Sequence, residues 1–319
     1  MKIAIVGCGA LGSYYGAKLC RSGVDVSFLL RTDYDVVLKN GVQIHSPEGD
    51  FHVHPRAANC PGVIGPVDLV VIGLKTTANH QFPALIPPLL HSGTVVLTLQ
   101  NGLGNEECLA RFVPPENILG GLCFVCLNRI QPGVIHHIDH GRVVIGEYRR
   151  PAGERTQAMA ELFRRAAIPC ELTDDLARAH WEKLTWNIPF NGLGVASYAG
   201  WAAVHSGSVT SGRPPSPCLT TDRLLADPAW HGLVRELIGE VVQAARALGH
   251  ALEDGIAETQ IQRTLTMGAY KPSTLIDFER GQELELEAVF FEPLRQARNA
   301  GVSTPRLENL TRVLQQLKR

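Results

Sequence analysis

Lys183, Asn187 and Asn191 recur at intervals of four, so a helix through this stretch carries them along one face. Together they offer one cation and two neutral amides. Such a set can hold a carboxylate or a hydroxyl while adding only one charge. Asparagine is a poor helix former, so two of them on a stripe with a lysine invite a functional explanation. Pro189 stands among them; without an N–H it forfeits its bond to the Thr185 carbonyl and should kink or end the helix. Trp181, Leu184, Trp186 and Phe190 flank the stripe, which favours a mostly buried segment over a solvated polar face. A second group, Lys271-Pro272-Ser273-Thr274-Leu275-Ile276-Asp277, is followed by the alternating acids Glu283, Glu285 and Glu287, of which only one need point inward.

A different chemistry is written at the start of the chain. Residues 3–6 form an unbroken apolar run of strand length. Gly7-Cys8-Gly9-Ala10-Leu11-Gly12 follows as G-x-G-x-x-G, and a helix is expected from residue 10 to about 20. In such a turn the first glycine permits the tight strand-to-helix reversal. The second lets backbone approach a pyrophosphate, and the third lets helix pack on strand. The helix N-terminus then faces the phosphates. The motif is weak alone and strong with a strand before it and a helix after it.

The second strand, residues 25–30, ends at Arg31. Sites for NAD usually hold an acid about 20 residues past the glycines, to bind the ribose 2′-hydroxyl. Here that place holds a guanidinium, which fits a 2′-phosphate and offers little to a diol, so NADP is favoured over NAD. The alternative is a solvated surface arginine. Asp33 and Asp35 come slightly too late to be the NAD-type acid.

Two further apolar runs, residues 68–74 and 94–99, lead into Lys75-Thr76 and Gln100-Asn101-Gly102-Leu103-Gly104. Ligands collect at the carboxyl ends of parallel strands. The glycine turn, Arg31, Lys75 and Asn101 all stand at such ends, so Lys75 and Asn101 are expected to approach cofactor or substrate. Between them residues 83–90 read as a helix. Residues 41–54 read as a hairpin around Pro47-Glu48-Gly49-Asp50, with His45, His52 and His54 as solvated edge histidines rather than metal ligands. Residues 118–127 read as a strand, and 133–138 with 142–147 as a hairpin turning at Asp139-His140-Gly141. An amphipathic helix over 152–167 and a short strand over 170–172 complete this half.

From about Thr173 the pattern becomes helical: 174–187 with Asp174 as N-cap, then 232–248, 255–267, 282–300 and 304–318. The expected architecture is an α/β Rossmann-type N-terminal domain, residues 1–172, plus an all-helical C-terminal domain, residues 173–319. The Ser/Gly/Pro/Thr-rich stretch 206–221 reads as an exposed, mobile loop.

Composition narrows the class. The chain has 319 residues, 45% hydrophobic and 19% charged, with a net charge of -1. Such a balance argues against a nucleic-acid surface or a polybasic membrane patch. No apolar run reaches membrane-spanning length, and a strand beginning at once leaves no room for a signal peptide, so a cytoplasmic enzyme is expected. Of the eight cysteines, Cys123 and Cys126 form C-x-x-C in a stretch that reads as buried strand. They read as core cysteines, and no metal is called for.

Taken together, GCGALG, Arg31, GLK at residues 73–75, QNGLG at 100–104, WEKLTWNIPFN at 181–191, and Ser273 to Asp277 with Glu285 beyond resemble the 2-dehydropantoate 2-reductase (ketopantoate reductase) family across nearly the whole chain. The resemblance implies an N-terminal Rossmann domain and a helical domain like the C-terminal one of 6-phosphogluconate dehydrogenase. It implies that Lys183 is the general acid, with Glu285 as its hydrogen-bonding partner beside substrate and cofactor. Asn187, Asn191 and Ser273 would hold the substrate, a small 2-oxo acid. Gly7, Cys8, Gly9, Ala10, Leu11 and Gly12 would cradle NADP, and Arg31 and Lys75 would meet its 2′-phosphate end. Asn101 would serve the nicotinamide side within reach of substrate, and the backbone of Cys126 would line the same site.

The residues suit that chemistry. Hydride arriving at a C2 ketone builds negative charge on oxygen, and an ammonium there stabilises the charge and supplies the proton. One region departs from the family pattern. Some members place a further substrate asparagine shortly after the second, where this chain has residues 197–201 and then the long loop. Reduction of another branched 2-oxo acid therefore stands beside reduction of 2-dehydropantoate. A non-catalytic NADP-binding sensor would predict a disrupted Lys183/Glu285 pair, and both residues are present. Family members include monomers and dimers, so a homodimer is left open.

Overall fold

The computed structural model describes residues 1–210 and 216–318. The chain divides into two compact units, Met1–Leu176 and Ala177–Arg319.

In the first unit the strands are β1 (Lys2–Val6), β2 (Asp25–Leu29), β3 (Val42–His45), β4 (Phe51–Val53), β5 (Arg56–Ala58), β6 (Leu69–Ile72), β7 (Val95–Thr98), β8 (Ile118–Gln131), β9 (Val134–Glu147) and β10 (Cys170–Thr173). Among the described residues they form one sheet in the order β4-β3-β9-β8-β7-β6-β1-β2-β5, with β10 on β9. β5, β2, β1, β6, β7 and β8 run parallel, whereas β8 with β9 and β3 with β4 are antiparallel. The helices of this unit are α1 (Ala10–Arg21), α2 (Tyr34–Asn40), α3 (Pro61–Ile64), α4 (Phe82–Leu85), α5 (Asn105–Leu109) and α6 (Glu154–Arg165).

The apolar runs are continuous because both faces of these strands are covered. Ile3, Ile5, Val26, Phe28, Leu69 and Val71 join one core cluster, with Tyr15 and Phe163. Their neighbours Ala4, Val6, Leu29, Val70 and Ile72 join another, with Phe82 and Leu89. In β1, Ile5 stands between Phe28 of β2 and Val71 of β6. The chain order thus reverses at β1. The carboxyl end of that strand is the switch point where a doubly wound sheet opens a crevice.

Up to the start of the helical half, three local expectations need correction. Asp139-His140-Gly141 does not turn a hairpin. Val134–Glu147 is one strand, and its partner is β8, reached through Pro132 and Gly133. His140 and Gly141 do take positive φ, +63° and +135°, inside β9, opposite register shifts of β8. The backbone signal was real, and a bulge absorbed it. Residues 83–90 form no single helix. The prolines there break the segment into α4 and a 3-10 turn at Pro87–Leu89, and another 3-10 turn, Thr76–Gln81, precedes α4. Finally, the Asp174 carboxylate accepts the N–H of Ala152, and the next helix begins later, at Leu176.

That helix, α7 (Leu176–Ala196), opens the helical half, which continues with α8 (Trp201–Ser206), α9 (Thr221–Ala226), α10 (Pro228–Ala247), α11 (Ile256–Leu265), α12 (Ser273–Glu279), α13 (Glu292–Asn299) and α14 (Pro305–Leu317). α7 continues past Pro189, so the helix does not end near Asn187 as one reading of the sequence has it. Ile188, Phe190 and Leu193 beside it are wholly buried, and that packing sustains the helix despite the lost donor. A Cβ at Gly192 would come within 2.6 Å of the Leu310 side chain, so α7 and α14 meet at that glycine. The expected helix over 282–300 is also shorter. Residues 282–285 are not helical, a π-helical turn spans Glu287–Phe291, and only Glu292–Asn299 is regular. Of the loop expected over 206–221, residues 211–215 lie outside the described residues. Its ends are tied down, because Val209 donates its N–H to Gln316 Oε1 and Ser216 donates its N–H to the Tyr198 carbonyl.

Candidate functional site

Both halves of the chain gather sequence-predicted residues. In the first unit the glycine turn occupies the switch point. Gly7 has φ +95°, and a Cβ there would lie 2.3 Å from the Leu74 nitrogen. A Cβ at Gly12 would lie 2.2 Å from the Gly7 carbonyl oxygen, and one at Gly73 2.9 Å from the Gly12 Cα. Three glycine backbones therefore touch, and no other residue fits at these positions. A Cβ at Gly9 would meet nothing within 4 Å. Packing within this chain does not require that glycine, and an approaching ligand would. Gly9 is the N-cap of α1 and supplies no side-chain cap, so the first N–H groups of Ala10 and Leu11 point out of the helix end. Beside them, the Ser13 hydroxyl holds the Cys8 carbonyl at 3.0 Å. This cradle fits a pyrophosphate.

Arg31 is exposed just past β2, and Lys75 is half-buried just past β6. Asn101, just past β7, stands in a network that the sequence did not disclose. Thr98 Oγ1 donates to Gln100 Oε1 at 2.9 Å, and Gln100 Nε2 donates to Asn79 Oδ1 at 2.8 Å. Asn79 Nδ2 then donates to Asn105 Oδ1 at 2.9 Å, and Asn105 Nδ2 to the Asn101 carbonyl at 3.1 Å. Gln100 and Asn105 are buried. The amide chain ties the segment after Lys75 to the loop that carries Asn101. Only the alternation of Asn and Gln could have hinted at it. Cys126 and Cys123 are buried in β8, and neither is in a disulfide. The histidines of the β3–β4 hairpin bond locally: His45 with Asp50 at 2.6 Å, and His52 with the Asn40 carbonyl at 2.6 Å.

In the second unit the stripe on α7 is formed as expected. Lys183 is half-buried, and Asn187 and Asn191 are buried at 7% and 4% exposure. Asn191 Oδ1 accepts the Thr274 N–H at 3.1 Å and the Ser273 hydroxyl at 3.4 Å. That pair of bonds joins the stripe to the start of α12. Trp186 stacks on Phe190 with ring centroids 5.2 Å apart, and its indole N–H donates to Thr264 Oγ1 at 2.9 Å. Among the three alternating acids, Glu283 and Glu287 are exposed and Glu285 is half-buried, so Glu285 is the most shielded of the three. At the place of the further asparagine, Ser197 is buried. Its hydroxyl donates to the Gly194 carbonyl and accepts the Leu219 N–H, both at 2.9 Å.

A parallel sheet that reverses at β1, with a glycine turn and helix N-terminus at that point, is a Rossmann-type dinucleotide-binding unit, joined here to a helical unit. Comparison with known proteins is more specific. The family model described as ketopantoate reductase PanE/ApbA matches residues 3–150, and its C-terminal counterpart matches residues 218–318. A 2-dehydropantoate 2-reductase of a Nostoc species is 39% identical, over 97% of this chain and 92% of its own. An uncharacterised oxidoreductase of Bacillus subtilis is 30% identical, over 99% of this chain and 98% of its own. The crystal structure of a 2-dehydropantoate 2-reductase from Geobacter metallireducens is 44% identical and superposes with a TM-score of 0.89, covering 99% of each chain. The chain belongs to the ketopantoate reductase family.

Proposed function

We propose that the protein reduces 2-dehydropantoate to (R)-pantoate with NADPH, a step in pantothenate and coenzyme A biosynthesis. One observation carries the reading: in a chain of this family, Lys183, Asn187 and Asn191 line one face of α7, with Asn191 bonded to Ser273 and Thr274.

The turn from Gly7 to Gly12 would hold the pyrophosphate of the cofactor, with Arg31 and Lys75 at its 2′-phosphate. Asn101 and the backbone of Cys126 would border the nicotinamide. When bound, NADPH supplies hydride to the C2 ketone. Lys183 meets the charge that builds on the carbonyl oxygen and gives that oxygen its proton. Glu285 keeps the ammonium in place and charged. Asn187, Asn191 and Ser273 bind the substrate carboxylate and hydroxyl through neutral groups, so they add no charge that would compete with Lys183. Among the described residues no helix is long and apolar enough to cross a membrane, and we place the reaction in the cytoplasm.

The test is a panel of 2-oxo acids oxidising NADPH, with kcat/KM measured for each. The expected result is a clear preference for 2-dehydropantoate. A preference of about tenfold or more for another branched 2-oxo acid would move the assignment to that acid, the scale being what one or two apolar contacts decide. Tight NADPH binding without oxidation by any member of the panel would leave a cofactor-binding sensor. Sedimentation of the same preparation distinguishes a monomer from a homodimer.

A further inference from the structure

Asp33 lies two residues beyond Arg31, at the carboxyl end of β2. Its side chain is only 8% exposed. An isolated carboxylate so placed would harm a site for a phosphorylated ribose, since like charges repel strongly where water is scarce. The protein supplies a partner from far along the chain. Arg129, near the end of β8, donates through a terminal nitrogen to Asp33 Oδ1 at 2.5 Å. The Thr32 hydroxyl donates to the same oxygen at 3.0 Å. A register shift of β8 against β9 falls next to Arg129. Asp33 caps no N–H of α2 with its side chain. Its carboxylate is committed to the arginine instead.

The place of Asp33, two residues past Arg31 beyond the carboxyl end of β2, ties this pair to the cofactor cradle. Burial first, and the nearby Asp33 carboxylate second, push the Cys8 thiol in the glycine turn up. Arg129 also keeps capacity in reserve. Its side chain is 38% exposed, and its bond to Asp33 uses a terminal nitrogen. A guanidinium carries five donors.

We propose that Arg129 and Asp33 set the discrimination between phosphorylated and unphosphorylated dinucleotides. Arg129 cancels an acid that would otherwise repel a 2′-phosphate and accept from a ribose hydroxyl, and its remaining guanidinium N–H groups stay available to a phosphate. Asp33 acts through Arg129 as a positioning residue. The inference rests on the NADPH reading given above.

The experiment measures dissociation constants of NADPH and NADH by nucleotide fluorescence for the wild-type protein and for Arg129→Met, Arg129→Lys and Asp33→Asn, with melting curves for each. Arg129→Met should weaken NADPH by about tenfold or more, the scale of one charge-assisted contact, and NADH far less. Asp33→Asn should shift the NADPH/NADH preference the other way, by freeing Arg129, and Arg129→Lys should fall between Arg129→Met and wild type. Equal losses for both cofactors in Arg129→Met would overturn the proposal, because a purely structural role cannot distinguish them. An unchanged preference in Asp33→Asn would overturn it as well, and that arm stands even if Arg129→Met does not fold. Wild-type protein that prefers NADH would overturn the NADPH reading itself, a separate result.

Discussion

The side-chain oxygen of Asn191 accepts the backbone N–H of Thr274, a buried residue 83 positions further along the chain. One amide thus anchors α12 to α7 and fixes where Ser273 stands. Asn191→Ala should leave that buried donor unpaired and cost about 1–3 kcal/mol of stability, along with substrate affinity. Asn191→Asp keeps the acceptor. It should melt near wild type yet bind the 2-oxo acid poorly, since two carboxylates would face each other. Melting curves and substrate KM separate the two variants. An Asp variant with normal KM would remove Asn191 from the substrate site.

The glycine turn offers a comparison between packing and binding. Gly12→Ala places a Cβ 2.2 Å from the Gly7 carbonyl, so it should destabilise the first unit. Gly9 has φ -72°, which alanine adopts freely, and open space lies around its Cβ position. Gly9→Ala should fold with an unchanged melting temperature and still lose NADPH affinity by about tenfold or more, because backbone must come close to the pyrophosphate. Full affinity in Gly9→Ala would show that the cofactor does not approach there.

Lys183→Ala should lower kcat by about 10²–10⁴-fold, the usual worth of a positioned general acid. NADPH affinity should hardly change. Steady-state kinetics on purified variant and wild type decide it, and activity within about tenfold of wild type removes the role.

For Arg31→Ala, the loss should fall on NADPH and spare NADH, since a guanidinium recognises a phosphate and gives a diol little. Titrating both nucleotides checks this. Equal losses would argue against a 2′-phosphate contact.

Glu240 yields a prediction in pH. Its carboxylate is buried at 9% exposure and accepts the N–H groups of Arg306 and Leu307, both at 2.8 Å, at the start of α14. Burial raises its pKa above the ordinary 4.5, and the two backbone bonds only partly offset this. A carboxyl group with a raised folded pKa contributes its full stability below the unfolded value and loses it as pH rises through the folded one. The stability of wild type relative to Glu240→Gln should therefore decline from about pH 4.5 upward. Urea melts of both proteins across that range provide the measurement. A relative gain with rising pH would mean that the helix-capping bonds outweigh burial.

Much of this molecule is local and so was legible in its sequence. Apolar runs such as Ile3–Val6 announced parallel strands, because a strand covered on both faces has no polar positions. Gly7, Gly9 and Gly12 announced the turn, because their spacing answers to backbone sterics. Lys183, Asn187 and Asn191 announced a helical face, because 3.6 residues per turn is a property of the backbone alone. What tertiary structure decided depends on partners far apart in the chain. Positive φ at His140 and Gly141 became a bulge, since β8 was there to pair through it. Pro189 sits inside a helix because the surrounding core holds that helix together. Asp33 came too late in the sequence to serve as the acid of an NAD site, and nothing there indicated that the fold would bring Arg129, 96 residues later, onto its carboxylate. A charge has no periodicity in sequence, and only topology selects the ion that meets it.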